Sequence, residues 1–175
     1  VSVQVVSRFG WGAAPPSSPP TFFDPSWMKG ACVHYTASDA DEQADHVKCG
    51  PRVRGIQRYH MESRGYRDIA YNFLVCRHGY CFVGRGWHVV SAGQGCSGAA
   101  KESQGNLRYH AFCFLGNDTA NRVDFSPEAA HAMSYLISNL RHLYPGRDWV
   151  VGHRYVCNTG CPGDEILRFI EATYG

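Results

Sequence analysis

Hydrophobic and polar positions alternate along this chain in two rhythms, and the change from one to the other marks out the elements. "VSVQVV" alternates as a short strand, and the Pro/Ser-rich stretch after it can be neither helix nor central strand, so residues 1–28 read as an N-terminal arm. Ala31–Tyr35 is an unbroken apolar run that opens into a polar turn at Thr36–Asp39, the pattern of a buried strand. From Asp41 to Glu62 the period becomes helical, with Val53, Ile56, Gln57 and His60 on one side and a restart at Gly50-Pro51. Two β-rich runs, Ala70–Arg77 and Tyr80–Gly84, flank His78-Gly79, which predicts a two-residue hairpin. In that register Cys76 and Cys81 face each other, either as a cross-strand disulfide or as a reduced pair.

Residues 91–107 are rich in Gly, Ser and Gln and read as a long loop, followed by the buried strand "YHAFCFLG". A helix is predicted from Ser126, with Pro127 and Glu128 in its first turn and Pro145-Gly146 at its end. Its stripe of Ala129, Met133, Leu136, Ile137 and Leu140 is core. "DWVVGHRYV" is a short strand running into a loop, and a terminal helix begins at Gly163. Strands alternating with helices predict one α/β domain, residues 29–175, with a central mixed sheet flanked by helices and residues 5–28 packed on it.

Composition narrows the function. At 175 residues, with 44% apolar and 18% charged positions, the chain can bury a full core without staples. A formal charge of +2 gives no footprint for nucleic acid and at most favours an acidic partner such as a wall polymer. No apolar run approaches the ~20 residues of a membrane span. Eight cysteines are many for a cytosolic enzyme and point toward an oxidising compartment. The chain opens at Val1 with no basic, apolar leader, so a secretion signal has been removed or was never there. Oligomeric state stays open.

The candidate chemistry lies in "VVGHRYVCNTGCPGDEI", where His153 and Cys161 share one loop. Three readings compete: a disulfide, a thiol nucleophile with a histidine base, and part of a metal site. A catalytic zinc takes three protein ligands and keeps a fourth position for water. His34, at the end of a buried strand just before a polar turn, is the best third ligand. Spacing alone does not choose among the three.

Four blocks, "CVHYTAS", "IQRYHMESRGYRDIAYNFLV", "GYCFVGRGW" and "VVGHRYVCNTGCPGDEI", resemble peptidoglycan recognition proteins and the related phage-type zinc amidases. They occur in the family's order over about residues 5–172. The resemblance implies that family's fold and one Zn2+ per chain held by His34, His153 and Cys161. It implies catalytic roles for Tyr71, at the zinc-activated water or the tetrahedral intermediate, and for Thr159 as a second polar contact. The implied partner is bacterial peptidoglycan or a muropeptide, cut between the lactyl group of N-acetylmuramic acid and L-alanine, outside the cell or on the bacterial wall. All three ligand positions are kept, which favours an enzyme over a binding receptor that does not cut.

In the same resemblance, Gly65, Tyr66 and Arg85 fall where stem peptides carrying meso-diaminopimelate are read, a guanidinium pairing with the carboxylate that lysine lacks. Tyr66 replaces the family's usual tryptophan. His60, Trp87 and His88 are expected along the glycan-peptide cleft. Two further departures stand out. Tyr155 occupies a position that is usually aspartate, so support for a ligand histidine has to come from elsewhere. Only Cys49 lies where animal members typically carry a close cysteine pair, which leaves a bacterial or phage lytic enzyme open.

Overall fold

The computed structural model describes residues 2–38, 45–96, 99–119, 122–123 and 125–175. Its strands are β1 (Gln4–Val6), β2 (Gly30–Tyr35), β3 (Phe73–Cys76), β4 (Tyr80–Val83), β5 (Tyr109–Leu115) and β8 (Trp149–Gly152), with a small ribbon of β6 (Asp118–Thr119) and β7 (Arg122–Val123). The helices are α1 (Arg8–Trp11), α2 (Cys49–Arg58), α3 (Gly105–Arg108), α4 (Pro127–Leu143), α5 (His153–Val156) and α6 (Asp164–Tyr174). One mixed sheet runs in the order β1-β4-β3-β5-β2-β8. β3, β5, β2 and β8 are mutually parallel, while β4 runs against β3 and carries β1 alongside it.

The mixed sheet and its flanking helices are as the apolar pattern predicts. The N-terminal arm is more than packing. β1 completes the sheet edge, Trp11 is buried with its indole N–H on the Val83 carbonyl at 2.8 Å, and Arg8 pairs with Asp68 at 2.9 Å. The predicted helix over 41–62 divides. Residues 41–44 lie outside the described residues, His46–Lys48 form a 3-10 turn, α2 follows with Pro51 in its first turn, and Tyr59–Ser63 widen into a π turn. The β6–β7 ribbon carried no hairpin signature in its sequence.

The hairpin corrects one expectation. The Gly79 N–H donates to the Cys76 carbonyl, and Val75, not Cys76, stands opposite Cys81. The loop is therefore one residue longer than His78-Gly79 implies. Because side chains alternate across a strand, that shift sends the two sulfurs to opposite faces. Cys76 packs toward Trp11 and α2, Cys81 toward α4, and both are free thiols.

Each face has its own core. Val33, Phe73, Val75, Phe112 and Phe114 meet the α4 stripe, where Met133, Leu136, Ile137 and Leu140 are at most 1% exposed and each contributes about 1.5–3 kcal/mol. Ser126 caps α4, accepting from the Ala129 N–H at 3.0 Å and donating to the Arg77 carbonyl. Leu74, Cys76, Cys113 and Leu115 face the other way, toward Trp11, Cys49 and Val53.

His110, on the α4 face, is fully buried, stacks on Phe23 and donates from Nε2 to the Trp87 carbonyl at 2.6 Å. Burial pulls its pKa down to about 4, outweighing that hydrogen bond. An unfolded chain binds the proton near pH 6.5, so the stability this group confers is complete above that value and is lost as pH falls toward 4. The loss amounts to roughly 3 kcal/mol. Urea unfolding at pH 7 and pH 4.5 should show a smaller acid loss for His110→Phe than for the wild type. Equal acid losses would refute the assignment.

Candidate metal centre and substrate cleft

The strand register brings the ligand candidates together. β2 and β8 run parallel with Val33 opposite Gly152, so the next residues, His34 and His153, emerge side by side at the carboxyl edge of the sheet. Their ring centroids are 4.5 Å apart. Cys161 returns on the following loop, its Sγ 3.8 Å from His34 Nδ1 and accepting the Tyr35 N–H at 3.5 Å. One ligand atom from each of the three lies within 4.8 Å of the others.

Backbone details hold the loop in place. A Cβ at Gly152 would come within 2.7 Å of Pro162 Cδ, so only glycine lets the cysteine loop close on the strand end. The Thr159 hydroxyl accepts the Cys161 N–H at 3.2 Å. Arg154 donates its own N–H to the Cys161 carbonyl at 2.8 Å and its guanidinium to Gly160 O and Asp164 Oδ1. Asp164 thus ties down Arg154, while Tyr155 is exposed against Trp149.

A disulfide was one reading of Cys161, and the structure places it elsewhere. Cys157 bridges to Cys96 with a Cα separation of 5.6 Å, and Cys161 is a free thiol. No sequence signal pairs Cys96 with Cys157, because connectivity cannot be read from spacing. The bridge fastens Cys96 to the residue that follows α5, and the neighbouring Gly95 backbone hydrogen-bonds the His153 ring.

The electrostatics suit a cation. Burial, then the neighbouring His153, holds His34 neutral, and burial does the same for His153. Burial pushes the Cys161 thiol up to about 12 against the pull of the Tyr35 N–H and the Arg154 charge. A cysteine nucleophile needs the reverse, a lowered pKa. His34 Nε2 and His153 Nε2 are buried with no hydrogen-bond partner, a costly arrangement unless something accepts their lone pairs. Two neutral imidazoles and a thiol at this range match the donor types and count of a three-ligand zinc site.

A cleft of about 320 Å³ adjoins the centre, lined by Thr36, Arg52, Ile56, Tyr59, His60 and Tyr71. Cavity size does not locate the chemistry: a larger space of about 470 Å³ lies near Gln4 and His131, while the smaller cleft shares Tyr71, the ring neighbour of His34. Tyr71 lies 5.5 Å from His34 and 5.6 Å from His60, ring to ring. Burial, with Cys113 and Cys161 nearby, raises the Tyr71 pKa well above its usual value, so the phenol stays protonated. His60 accepts the Ala70 N–H on Nδ1 at 3.0 Å, and burial and Arg85 lower it to about 4. Tyr66 stacks obliquely on His60, and Gly65, at φ +67°, makes the left-handed turn that ends the helical segment and presents it.

Three expected cleft residues sit differently. Trp87 packs on Phe73 and Phe112, and His88 bonds the Tyr144 hydroxyl, so both lie on the α4 side. His34 shares the opposite face with its register partner Cys113. The sheet itself separates Trp87 and His88 from the centre. Arg85 spends its guanidinium on the carbonyls of Ile69, Val90 and Asp68, leaving two of its five N–H groups. Arg52 and Tyr59 were not singled out from sequence, although they share the helical face of Ile56 and His60.

Residues 24–164 match the family described as N-acetylmuramoyl-L-alanine amidase. Drosophila simulans peptidoglycan-recognition protein SC2 is 30% identical over 172 residues, 98% of this chain and 86% of the relative. The chain belongs to the peptidoglycan recognition protein and N-acetylmuramoyl-L-alanine amidase family. Human N-acetylmuramoyl-L-alanine amidase is 33% identical to this family member over 169 residues, 94% of the chain. The chain spans about a quarter of that relative's length, 27%. Peptidoglycan recognition protein-LE, solved in complex with tracheal cytotoxin, a monomeric diaminopimelic acid-type peptidoglycan, superposes with a TM-score of 0.78 at 25% identity, covering 97% of this chain and 93% of that one.

Proposed function

We propose that this chain is a zinc-dependent amidase that hydrolyses the bond between N-acetylmuramic acid and L-alanine in peptidoglycan of the meso-diaminopimelate type, acting outside the cell or on the bacterial wall. The observation that carries the proposal is the convergence of His34, His153 and Cys161, two of them with buried, unpartnered imidazole nitrogens, at the end of an open cleft. Three ligands, not four, leave a coordination position for reaction.

When bound there, zinc supplies a Lewis acid and lowers the pKa of a water toward neutrality. The chain's residues do the rest. His34 and His153, both neutral, and Cys161 as its thiolate would hold the ion. Thr159 and the Tyr35 N–H fix the sulfur's direction. Tyr71, still protonated, donates to the oxygen that gains charge as the amide is attacked. His60 braces Tyr71, and Arg52, Ile56 and Tyr59 form the wall against which the muropeptide lies. The two N–H groups left on Arg85 serve the extra carboxylate of diaminopimelate, which remains paired because burial lowers Arg85 only to about 10.

The test is a digestion of diaminopimelate- and lysine-type muropeptides by zinc-loaded and chelator-stripped protein. Stem peptide should be released faster from the diaminopimelate type, stop on stripping and return with zinc. Release that persists without metal would reject the mechanism. Retention of muropeptide with no release in the zinc-loaded arm would make the chain a recognition module.

A further inference from the structure

A second group of soft ligands lies apart from the centre above. His46, in the 3-10 turn before α2, and Cys49, the first residue of α2, stand one turn apart, while Cys76 ends β3 and His78 lies in the β3–β4 turn. One ligand atom from each lies within 4.8 Å of all the others. Cys49 Sγ is 3.6 Å from His78 Nδ1, and Cys76 Sγ is 3.9 Å from His46 Nδ1. A tetrahedral zinc with bonds of about 2.3 Å to sulfur and 2.0–2.1 Å to nitrogen has sulfur-to-nitrogen edges of about 3.6 Å. The cluster already has nearly those dimensions.

We propose that His46, Cys49, Cys76 and His78 form a second, structural zinc site that fastens the start of α2 to the β3–β4 hairpin.

Several observations converge on it. Both sulfurs are buried free thiols, in a chain that closes Cys96 and Cys157 into a disulfide. The His46 ring is held by stacking on Tyr80, centroids 3.6 Å apart, with Nδ1 turned to Cys76. Four protein ligands of Cys₂His₂ type make a closed set, the composition of structural zinc, whereas the centre at His34 has three. The two sites are also distinct in space. Cys76 lies on the face of His34, two strands away and two residues further along, by the register of β3, β5 and β2, which puts their Cα atoms roughly 12 Å apart. The second site would hold α2, and with it the cleft residues Arg52, Ile56 and His60, against the sheet. This inference does not depend on amidase activity.

Metal content and cobalt spectroscopy on the full chain test it. Protein prepared with zinc under reducing conditions should carry two ions per chain by elemental analysis, Cys161→Ser one, and the Cys49→Ser/Cys76→Ser double variant one. The double variant could fail through misfolding, so Cys161→Ser loaded with cobalt(II) is the deciding sample. It should bind one ion with the visible bands of a tetrahedral site and charge-transfer absorption from two thiolates. If it binds no cobalt, or binds it without thiolate absorption, the site does not exist. A Cys49–Cys76 disulfide in the peptide map of metal-loaded protein would equally overturn it. A wild type holding one ion that Cys161→Ser retains would support this site while removing metal from the cleft.

Discussion

Cys161→Ser is expected to lower stem-peptide release by about a thousandfold or more, with loss of the cleft metal ion. The reason is the geometry at β2 and β8. Two buried imidazole nitrogens already lack partners, and the sulfur is the one anionic ligand that completes the set. Serine keeps the shape but stays protonated, so the ion is held by two neutral donors alone. Without it, attack on an amide relies on water with a pKa near 15.7 instead of about 7. Tyr71→Phe is the matched control. It should lose about a hundredfold in kcat, the scale of one donor to a developing oxyanion, and keep the ion and KM. Rates from purified muropeptide, with metal content on the same samples, give both results. Undiminished turnover by Cys161→Ser would end the case for a metal centre at this cleft.

Breaking the Cys96–Cys157 bridge is expected to cost about 4 kcal/mol of stability, the chain entropy released when a loop of this length opens, given a sequence separation of 61. For a domain of this size the melting temperature should fall on the order of 10 °C. Activity should fall as well, because the bridge fixes both supports of His153. Gly95, next to Cys96, hydrogen-bonds the ring, and the Cys157 N–H donates to the His153 carbonyl at 2.9 Å. Cys96→Ser and Cys157→Ser should therefore show the same loss as the double variant in thermal and urea unfolding. A change under about 1 kcal/mol would mean the bridge is dispensable.

Much of the architecture is legible in the residues because it is set by local period and by end signals. The α4 stripe and its Ser126–Pro127 start, the apolar runs of β2 and β5 and the terminal helix need only neighbours a few positions away. The hairpin register was misread by one residue for a physical reason. Gly79 takes the left-handed conformation at the end of a longer turn, and a one-residue slip turns a facing cysteine pair into two sulfurs on opposite faces. Trp87 and His88 were misplaced because nearness to Arg85 in sequence says nothing about which side of a sheet a residue covers.

By itself, the sequence determined the main strands and helices and the mixed α/β class, since local period and end signals are written directly in it. It offered His34, His153 and Cys161 as candidate ligands through the family resemblance, their spacing alone leaving disulfide, thiol and metal readings open. Only the tertiary structure decided that His34 and His153 become neighbours, through the parallel register of β2 and β8. It also decided that Cys157 pairs with Cys96 instead of Cys161, and that His46, Cys49, Cys76 and His78 converge. Those contacts join segments far apart along the chain, and their geometry is fixed by sheet order and by packing on two faces, which no local pattern encodes.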